Sequence, residues 1–192
     1  MGKDSAERQV LDSAGIRRAL KMMASEIVLR NPELDKLAFV GILTRGVPLA
    51  ERLADLVQES EGVEVPLGRL DITLYRDDVG LAYPNPVIKQ TDLPFEVSDR
   101  VIILVDDVLN TGRTVRAALD ALMDFGRPAA IRLAVLIDRG LRELPIRADY
   151  VGKTMETTRQ DDVLVHLKEV EERDRVVVTR IQRKSDQQGE EV

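Results

Sequence analysis

Two adjacent carboxylates, Asp106 and Asp107, directly follow an aliphatic run at residues 101–105. Carboxylate oxygens at the end of a buried strand can accept hydrogen bonds from the vicinal hydroxyl groups of a sugar. The segment 110–114 then reads Asn-Thr-Gly-Arg-Thr, in which the glycine permits a tight turn. Such a turn at the start of a helix offers backbone N–H groups and threonine hydroxyls to a phosphate. The spacing therefore predicts a site for a ribose 5-phosphate.

This segment differs from two other phosphate-binding patterns. A nucleoside triphosphate P-loop needs a lysine after its second glycine, and a dinucleotide fingerprint needs three spaced glycines; the segment has neither. A simpler alternative is a strand, a turn and a helix in which the aspartates only cap the helix. The complete ten-residue pattern, 105–114, favours the phosphate site over that alternative.

The hydrophobic pattern places this segment in a chain that alternates strands and helices. Apolar residues at helical spacing predict helices that begin near Ser13, Pro48 and Val115. Apolar runs predict strands at 37–43, 63–75, 101–105, 131–137, 149–152, 162–168 and 175–181. This alternation predicts an α/β fold with a mainly parallel twisted sheet flanked by helices. Ligands of such sheets bind beyond the carboxyl ends of the strands, so the loops 44–47, 106–114 and 138–142 are expected to converge.

Composition narrows the classes of function. The formal net charge of −6 argues against indiscriminate binding of nucleic acid, and the absence of cysteine excludes a thiolate metal site. The single histidine, His166, lies in an alternating segment away from the motif and is expected on the surface of a strand. No apolar run approaches the roughly 20 residues that span a bilayer, and no leader is recognised, so we expect a cytoplasmic protein without membrane contact.

The chain length is that of one domain, predicted over residues 1–183. Residues 1–12 are polar and expected to be frayed, and 184–192 are expected to form a disordered tail. The segment 72–92 is interrupted by Gly80 and prolines and has little periodicity, which is typical of a lid or binding loop.

The segment 102–114 resembles the signature with which type I phosphoribosyltransferases bind 5-phosphoribosyl-1-pyrophosphate (PRPP). The segments 44–46, 71–78, 135–140 and 142–153 resemble the PyrR family of bifunctional pyrimidine-operon attenuators and uracil phosphoribosyltransferases. The resemblance extends from about residue 14 to 180. It implies a type I phosphoribosyltransferase fold with a small C-terminal hood, formed mainly by residues 138–183. It also implies that uracil and PRPP are converted to UMP and pyrophosphate with Mg²⁺.

The same resemblance implies a role for each loop. Asp106 and Asp107 would hold the ribose hydroxyls and, together with PRPP, Mg²⁺, while Arg45 and Arg76 would stabilise the leaving pyrophosphate. The loop 44–46 would contain a non-proline cis peptide. The residues that would contact PRPP are Thr44, Arg45, Gly46, Asp106, Asp107, Asn110, Thr111, Gly112, Arg113 and Thr114. Arg139, Tyr150 and Val151 would bind the base, although Tyr150 could equally be a core residue and Arg76 part of an ordinary charged turn.

A basic face for RNA is a further implication of the resemblance, with Arg17, Arg18, Arg30, Arg142, Arg147 and Lys153 as its candidates. Three positions depart from the family pattern, because Met22, Ser25 and Leu141 stand where arginine, histidine and histidine are typical. Each lost phosphate contact weakens RNA binding. Asn110 also replaces the usual tyrosine beside the phosphate turn. The alternatives to a uracil enzyme are a UMP-responsive RNA-binding attenuator and a phosphoribosyltransferase for another base. Whichever function it has, the protein is expected to form a homo-oligomer.

Overall fold

The computed structural model describes residues 7–76 and 90–180. Most of the predicted lid, 72–92, and all of the predicted tail, 184–192, lie outside these residues. In chain order the elements are β1 (Arg8–Asp12), α1 (Ser13–Arg30), β2 (Leu37–Ile42), α2 (Gly46–Glu61), β3 (Leu67–Leu70), β4 (Val101–Leu109), α3 (Arg113–Met123), β5 (Ala130–Asp138), β6 (Tyr150–Thr154), β7 (Asp161–His166), α4 (Lys168–Glu171) and β8 (Arg175–Arg180). Within this part of the chain, no helix combines the length and apolar character needed to cross a membrane.

The main sheet has five parallel strands in the order β3-β2-β4-β5-β6. Successive side chains of a strand point to opposite faces, and the two faces pack in different layers. Phe39 and Ile103 belong to the cluster formed with α1 and α2, whereas Val40 and Leu104 belong to the cluster formed with α3. The predicted α/β fold with a parallel sheet between helices is therefore confirmed.

The position of β4 in this sheet creates the crevice where a ligand can bind. Strand order reverses between β2 and β4, because β3 lies beyond β2 while β5 and β6 lie beyond β4. The pairing of β4 with β2 ends at Val105, but its pairing with β5 continues to Leu109. Ligands of open α/β sheets bind at such a switch point, which here lies beside residues 106–109.

A second, antiparallel sheet has the order β1-β8-β7. The prediction that residues 1–12 are frayed is wrong for Arg8–Asp12, which pair with β8. Of the strands within the predicted hood, 138–183, only β7 and β8 belong to this second sheet. Tyr150–Thr154 belong to the main sheet as β6. The pairing of β1 with β8 has no local signal in the sequence, because the two strands are separated by most of the chain. His166 lies in β7 as predicted, but it is half-buried, and burial lowers its pKa.

The predicted strand 63–75 is wrong in its extent, since only Leu67–Leu70 form β3. Its parallel partner β2 ends at Ile42, which pairs with Leu70. Beyond Leu70 no strand residue of β2 remains to pair with the chain. The Asp71 carboxylate then accepts hydrogen bonds from the backbone N–H and the hydroxyl of Thr73, and the chain turns into a short 3₁₀ helix. The other predicted helices and strands are confirmed, with ends that differ by a few residues.

A charged cluster joins α2 to the segment that follows β7. The guanidinium of Arg52 donates to both carboxylate oxygens of Glu169, at 3.0 and 2.7 Å, and to Asp174 at 2.7 Å. The side chains of Arg52 and Asp174 are only 15% and 10% exposed. Burial by itself would raise the pKa of Asp174, but the hydrogen bonds from Arg52 and from the backbone N–H of Lys168, together with the charges of these two residues, lower it overall.

We predict that Arg52→Gln lowers the free energy of unfolding at pH 7 by about 1.5–3 kcal/mol, the usual contribution of hydrogen bonds to charged groups. Because the pKa of Asp174 is lowered on folding, this contribution is present above the ordinary value of 3.8 and is lost as the pH falls below it. Urea unfolding from pH 3 to pH 7 measures both effects.

The matched control is Arg69→Gln, because Arg69 pairs with Glu51 in a salt bridge that is about half exposed. Its expected loss is about 0–1 kcal/mol. Equal losses in the free energy of unfolding for the two variants would contradict the conclusion that the ion pairs of Arg52 stabilise the fold more than that of Arg69.

Candidate active site

The loop between β2 and α2 is held directly against β4. A Cβ atom on Gly46 would lie 2.3 Å from the carbonyl oxygen of Val105, and one on Gly41 would lie 2.4 Å from the Cα of Val47. Only glycine permits such close approach of two backbones. The peptide between Leu43 and Thr44 is cis, which confirms the predicted non-proline cis peptide of this loop. The predicted residues 44–46 therefore lie next to the residue that precedes the two aspartates.

The two aspartates are part of β4 rather than of a loop after it. Asp106 is only 7% exposed, and its carboxylate accepts a hydrogen bond of 2.9 Å from the backbone N–H of Asp107. Burial raises the pKa of Asp106 well above its ordinary value, and the adjacent charge of Asp107 raises it further. A carboxyl group in this environment is costly to keep charged until hydroxyl or cation partners reach it.

Arg45 interacts with both this carboxylate pair and α4. Burial raises the pKa of Asp107, and the positive charge of Arg45 opposes that rise. The Nε of Arg45 donates to the Oε1 of Glu171 at 3.0 Å, and its Nη2 contacts the same oxygen. Glu171 belongs to α4, so the segment between β7 and β8 supplies the anion that holds Arg45.

The predicted phosphate turn has the geometry expected at a helix start. Gly112 has a φ of 94° and precedes α3 directly. The Thr111 hydroxyl accepts a hydrogen bond from the N–H of Arg113 at 3.3 Å, and the guanidinium of Arg113 bonds to Glu143 at 2.8 Å. Thr114 is the second residue of α3. The first turn of a helix presents N–H groups without intrahelical partners, which suits an anion.

A cleft of about 300 Å³ adjoins this turn, lined by Asn110, Thr111, Arg139, Leu141, Glu143, Arg159, Asp161 and Asp162. The side-chain oxygen of Asn110 is buried and has no hydrogen-bond partner within the described part of the chain. Leu141 has a φ of 59°, in the left-handed region. Arg139 is buried and donates to Thr157 and to the carbonyls of Thr158 and Asp161. It therefore lines the cleft while it holds the neighbouring loop.

The other two predicted base-binding residues are not at this cleft. The prediction that Tyr150 stacks on a base is wrong, because its side chain is fully buried in the cluster formed with α1. Its hydroxyl accepts a hydrogen bond of 3.0 Å from Asn31. Val151 pairs with Val135 in the main sheet and packs against the cluster on the α3 side. The side chains of both residues therefore pack in the core, and the role predicted for the backbone of Val151 stays a prediction.

The predicted RNA residues fall into two groups. Arg17, Arg18, Arg147 and Lys153 are exposed. Arg30 is exposed as well, but it pairs with Glu26 and lies over the ring of Tyr150. Arg142 donates to backbone carbonyls and pairs with Asp138, so its prediction as a free RNA contact is corrected. Arg76 is the last described residue before the gap and is exposed.

The carboxylates at this site fit a cation that takes most of its ligands from a substrate. Among residues 7–76 and 90–180, no group of three or more His, Cys, Asp or Glu side chains is placed to hold a metal ion. Mg²⁺ usually keeps few protein carboxylates and takes its other ligands from substrate phosphates and water. Asp106 and Asp107 meet that requirement.

Two comparisons define the class of protein. The fold is similar to the hypoxanthine phosphoribosyltransferase of Trypanosoma cruzi, with a TM-score of 0.70, 18% identity and coverage of 94% of this chain and 100% of that one. For the enzyme of Staphylococcus aureus the TM-score is 0.68 at 18% identity, with coverage of 94% and 97%. These identities concern the fold alone. A model of the phosphoribosyl transferase domain matches residues 7–169, so fold and site define a protein of the phosphoribosyltransferase class.

Curated relatives narrow this class further. The chain is 58% identical over 170 residues to the bifunctional protein PyrR of Pelotomaculum thermopropionicum, with coverage of 88% of this chain and 94% of the relative. It is 60% identical over 162 residues to that of Deinococcus radiodurans, with coverage of 84% and 88%. The chain belongs to the PyrR family, as the sequence resemblance indicated.

The roles of two residues at the site were not predicted from the sequence. Glu171 holds Arg45 from 126 positions away along the chain. Arg142 was predicted as an RNA contact, whereas its hydrogen bonds reach the strand end that leads into the phosphate turn. No local pattern distinguishes either residue from an ordinary surface charge.

We predict that Asp106→Asn raises the free energy of unfolding at pH 7 by about 0.5–2 kcal/mol, the usual gain when a costly functional group is replaced. The raised pKa of Asp106 means that the wild-type fold is penalised at high pH, and that the penalty disappears as the pH falls toward the ordinary value of 3.8. The gain should therefore shrink on acidification, which urea unfolding between pH 4 and pH 8 can measure.

Asp138→Asn is the matched control, because Asp138 stands at the same edge of the sheet but lies 2.6 Å from the Nη2 of Arg142. This variant is expected to lose stability. A gain in Asp106→Asn that does not change with pH, or no gain, would contradict the penalty assigned to Asp106.

Proposed function

We propose that the protein is a uracil phosphoribosyltransferase, which converts uracil and PRPP to UMP and pyrophosphate. The observation that carries this proposal is the pairing of a buried carboxylate, Asp106, and a half-buried one, Asp107, with a glycine turn at the switch point of the sheet. A diol site and an anion site on one strand–turn–helix match the two ends of a ribose 5-phosphate. The relatives named as bifunctional PyrR proteins support the choice of a pyrimidine base.

Different residues bind different parts of the substrate. Asp106 and Asp107 accept hydrogen bonds from the ribose hydroxyls, and the N–H groups and hydroxyls of 110–114 bind the 5-phosphate. The bond between C1 and pyrophosphate breaks with its electron pair leaving on the pyrophosphate, while a ring nitrogen of uracil bonds to C1 and gives up its proton. Mg²⁺ would neutralise charge on the leaving group. A stabilised leaving group removes the need for a protein nucleophile.

Arg45 lies close enough to this chemistry for its charge to act on Asp107. Its guanidinium is paired with Glu171. A pyrophosphate carries more charge than one carboxylate, so it can take over the guanidinium when it binds. Arg76, at the start of the proposed lid, would add a second cation to the leaving group.

The test is conversion of labelled uracil to UMP with saturating PRPP and Mg²⁺. We expect turnover with uracil, and much less with cytosine, hypoxanthine and adenine at the same concentration. A preparation that binds PRPP but transfers ribose 5-phosphate to another base would support the alternative of a different base specificity. No turnover with any base would overturn the proposed function.

A second candidate function is binding of RNA in a manner that responds to UMP. It is favoured by the exposed cations Arg17, Arg18 and Lys21 on α1 and by exposed Lys153 on β6, which packs against α1. Met22 and Leu29 on the same helix are 71% and 82% exposed, so apolar side chains interrupt this surface. The result is a weaker electrostatic contribution than a continuous basic face would give.

We expect the protein to bind a pyrimidine-operon leader hairpin weakly, with a shallow dependence on salt, because few phosphates are neutralised. Equilibrium binding over a salt series, with and without UMP, measures this. Met22→Arg should strengthen binding and steepen the salt dependence, whereas Met22→Gln should not. Tight binding by the unmodified protein that UMP enhances would instead make it a regulator.

A further inference from the structure

Arg142 makes an unusual set of contacts for a surface arginine. Its Nη1 donates to the carbonyl oxygens of Leu109, Asn110 and Gly140 at 3.3, 2.7 and 2.7 Å. Its Nε donates to the carbonyl of Ile146 at 3.1 Å, and its Nη2 pairs with Asp138 at 2.6 Å. The side chain is 23% exposed. One guanidinium thus joins the end of β4 to the loop that follows β5.

The backbone around Arg142 reinforces the same connection. The N–H of Arg139 donates to the carbonyl of Leu109 at 3.1 Å. The N–H groups of Glu143 and Leu144 both donate to the carbonyl of Thr111, at 3.0 and 3.1 Å. The three successive carbonyls of residues 109–111 are therefore all bound by the segment 139–144.

This arrangement decides where the turn points its donors. In a trans peptide, the carbonyl and the N–H of the next residue point in opposite directions. Because the carbonyls of 109–111 are directed at the segment 139–144, the N–H groups of Asn110, Thr111 and Gly112 are directed away from it. These N–H groups belong to the turn to which the 5-phosphate is assigned.

We infer that Arg142 is a positioning residue for the 5-phosphate of PRPP, which acts by orienting the phosphate turn. The inference rests on the proposed function. Its charge is neutralised by Asp138, so Arg142 acts through the orientation of the carbonyls of Leu109 and Asn110 rather than as a phosphate ligand. The loop after β5 is in this way part of the PRPP site.

The experiment compares Arg142→Gln and Arg142→Lys with the wild-type protein, and uses Arg127→Gln as the matched control. Arg127 is exposed in the loop before β5, at the opposite end of that strand. The steady-state parameters kcat and KM are measured for PRPP and for uracil. Calorimetry then measures the Kd of ribose 5-phosphate, which reaches the turn, and of Mg²⁺-pyrophosphate, which does not.

For Arg142→Gln we expect the KM for PRPP and the Kd for ribose 5-phosphate to rise about tenfold, the effect of losing one well-made charged hydrogen bond. At saturating PRPP, kcat should stay within about twofold, and the Kd for Mg²⁺-pyrophosphate should not change. Arg142→Lys keeps the charge but loses the planar fork, so a smaller shift in the same two constants is expected. Arg127→Gln should match the wild type.

Wild-type constants in a folded Arg142→Gln would overturn the inference, and so would an equal loss for both ligands. If Arg142→Gln does not fold by circular dichroism, Arg142→Lys carries the test; if neither variant folds, Arg142 serves the fold as a whole and the inference is wrong. Failure of the proposed function is distinguishable, because the wild-type protein itself would then neither bind PRPP nor form UMP.

Discussion

The contact on which the site depends is the approach of the start of α2 to the backbone of β4. Gly46 lies so close to the carbonyl of Val105 that no side chain fits between them. The approach places Arg45 beside the strand just before Asp106 and Asp107. With a longer distance here, the loop that would bind pyrophosphate and the strand that would bind ribose would be too far apart to share one PRPP.

Around that contact, charged groups are held by partners from distant parts of the chain. Arg45 is bound by Glu171, and Arg52 is bound by Glu169 and Asp174, so the segment between β7 and β8 neutralises two arginines of α2 and its preceding loop. Asp106 has no cation as a direct partner among its described contacts. Near the site the fold therefore pairs Arg45 and Arg52 and leaves buried Asp106, beside half-buried Asp107, for a ligand to satisfy, which trades stability for binding.

Most of the local structure was predictable because its causes are local. A strand buried on both faces, a glycine with positive φ and a helix start are each encoded within a few residues, and the segment 101–123 contains all three. The predictions that failed concern pairing or burial. Arg8–Asp12 have a partner strand only because β8 lies beside them, and Tyr150 is buried only because α1 covers it.

The sequence by itself determined the chemistry of the central motif, namely two carboxylates, a tight turn and hydroxyls in the order that a ribose 5-phosphate requires. It also determined the parallel α/β fold, since alternating apolar patterns depend on near neighbours. Only the tertiary structure decided which charges are available. Arg142 and Arg147 have the same side chain and lie in the same loop, yet the first is bound to four carbonyls and a carboxylate while the second is exposed. That difference arises from contacts between segments up to 33 residues apart, which no local pattern records.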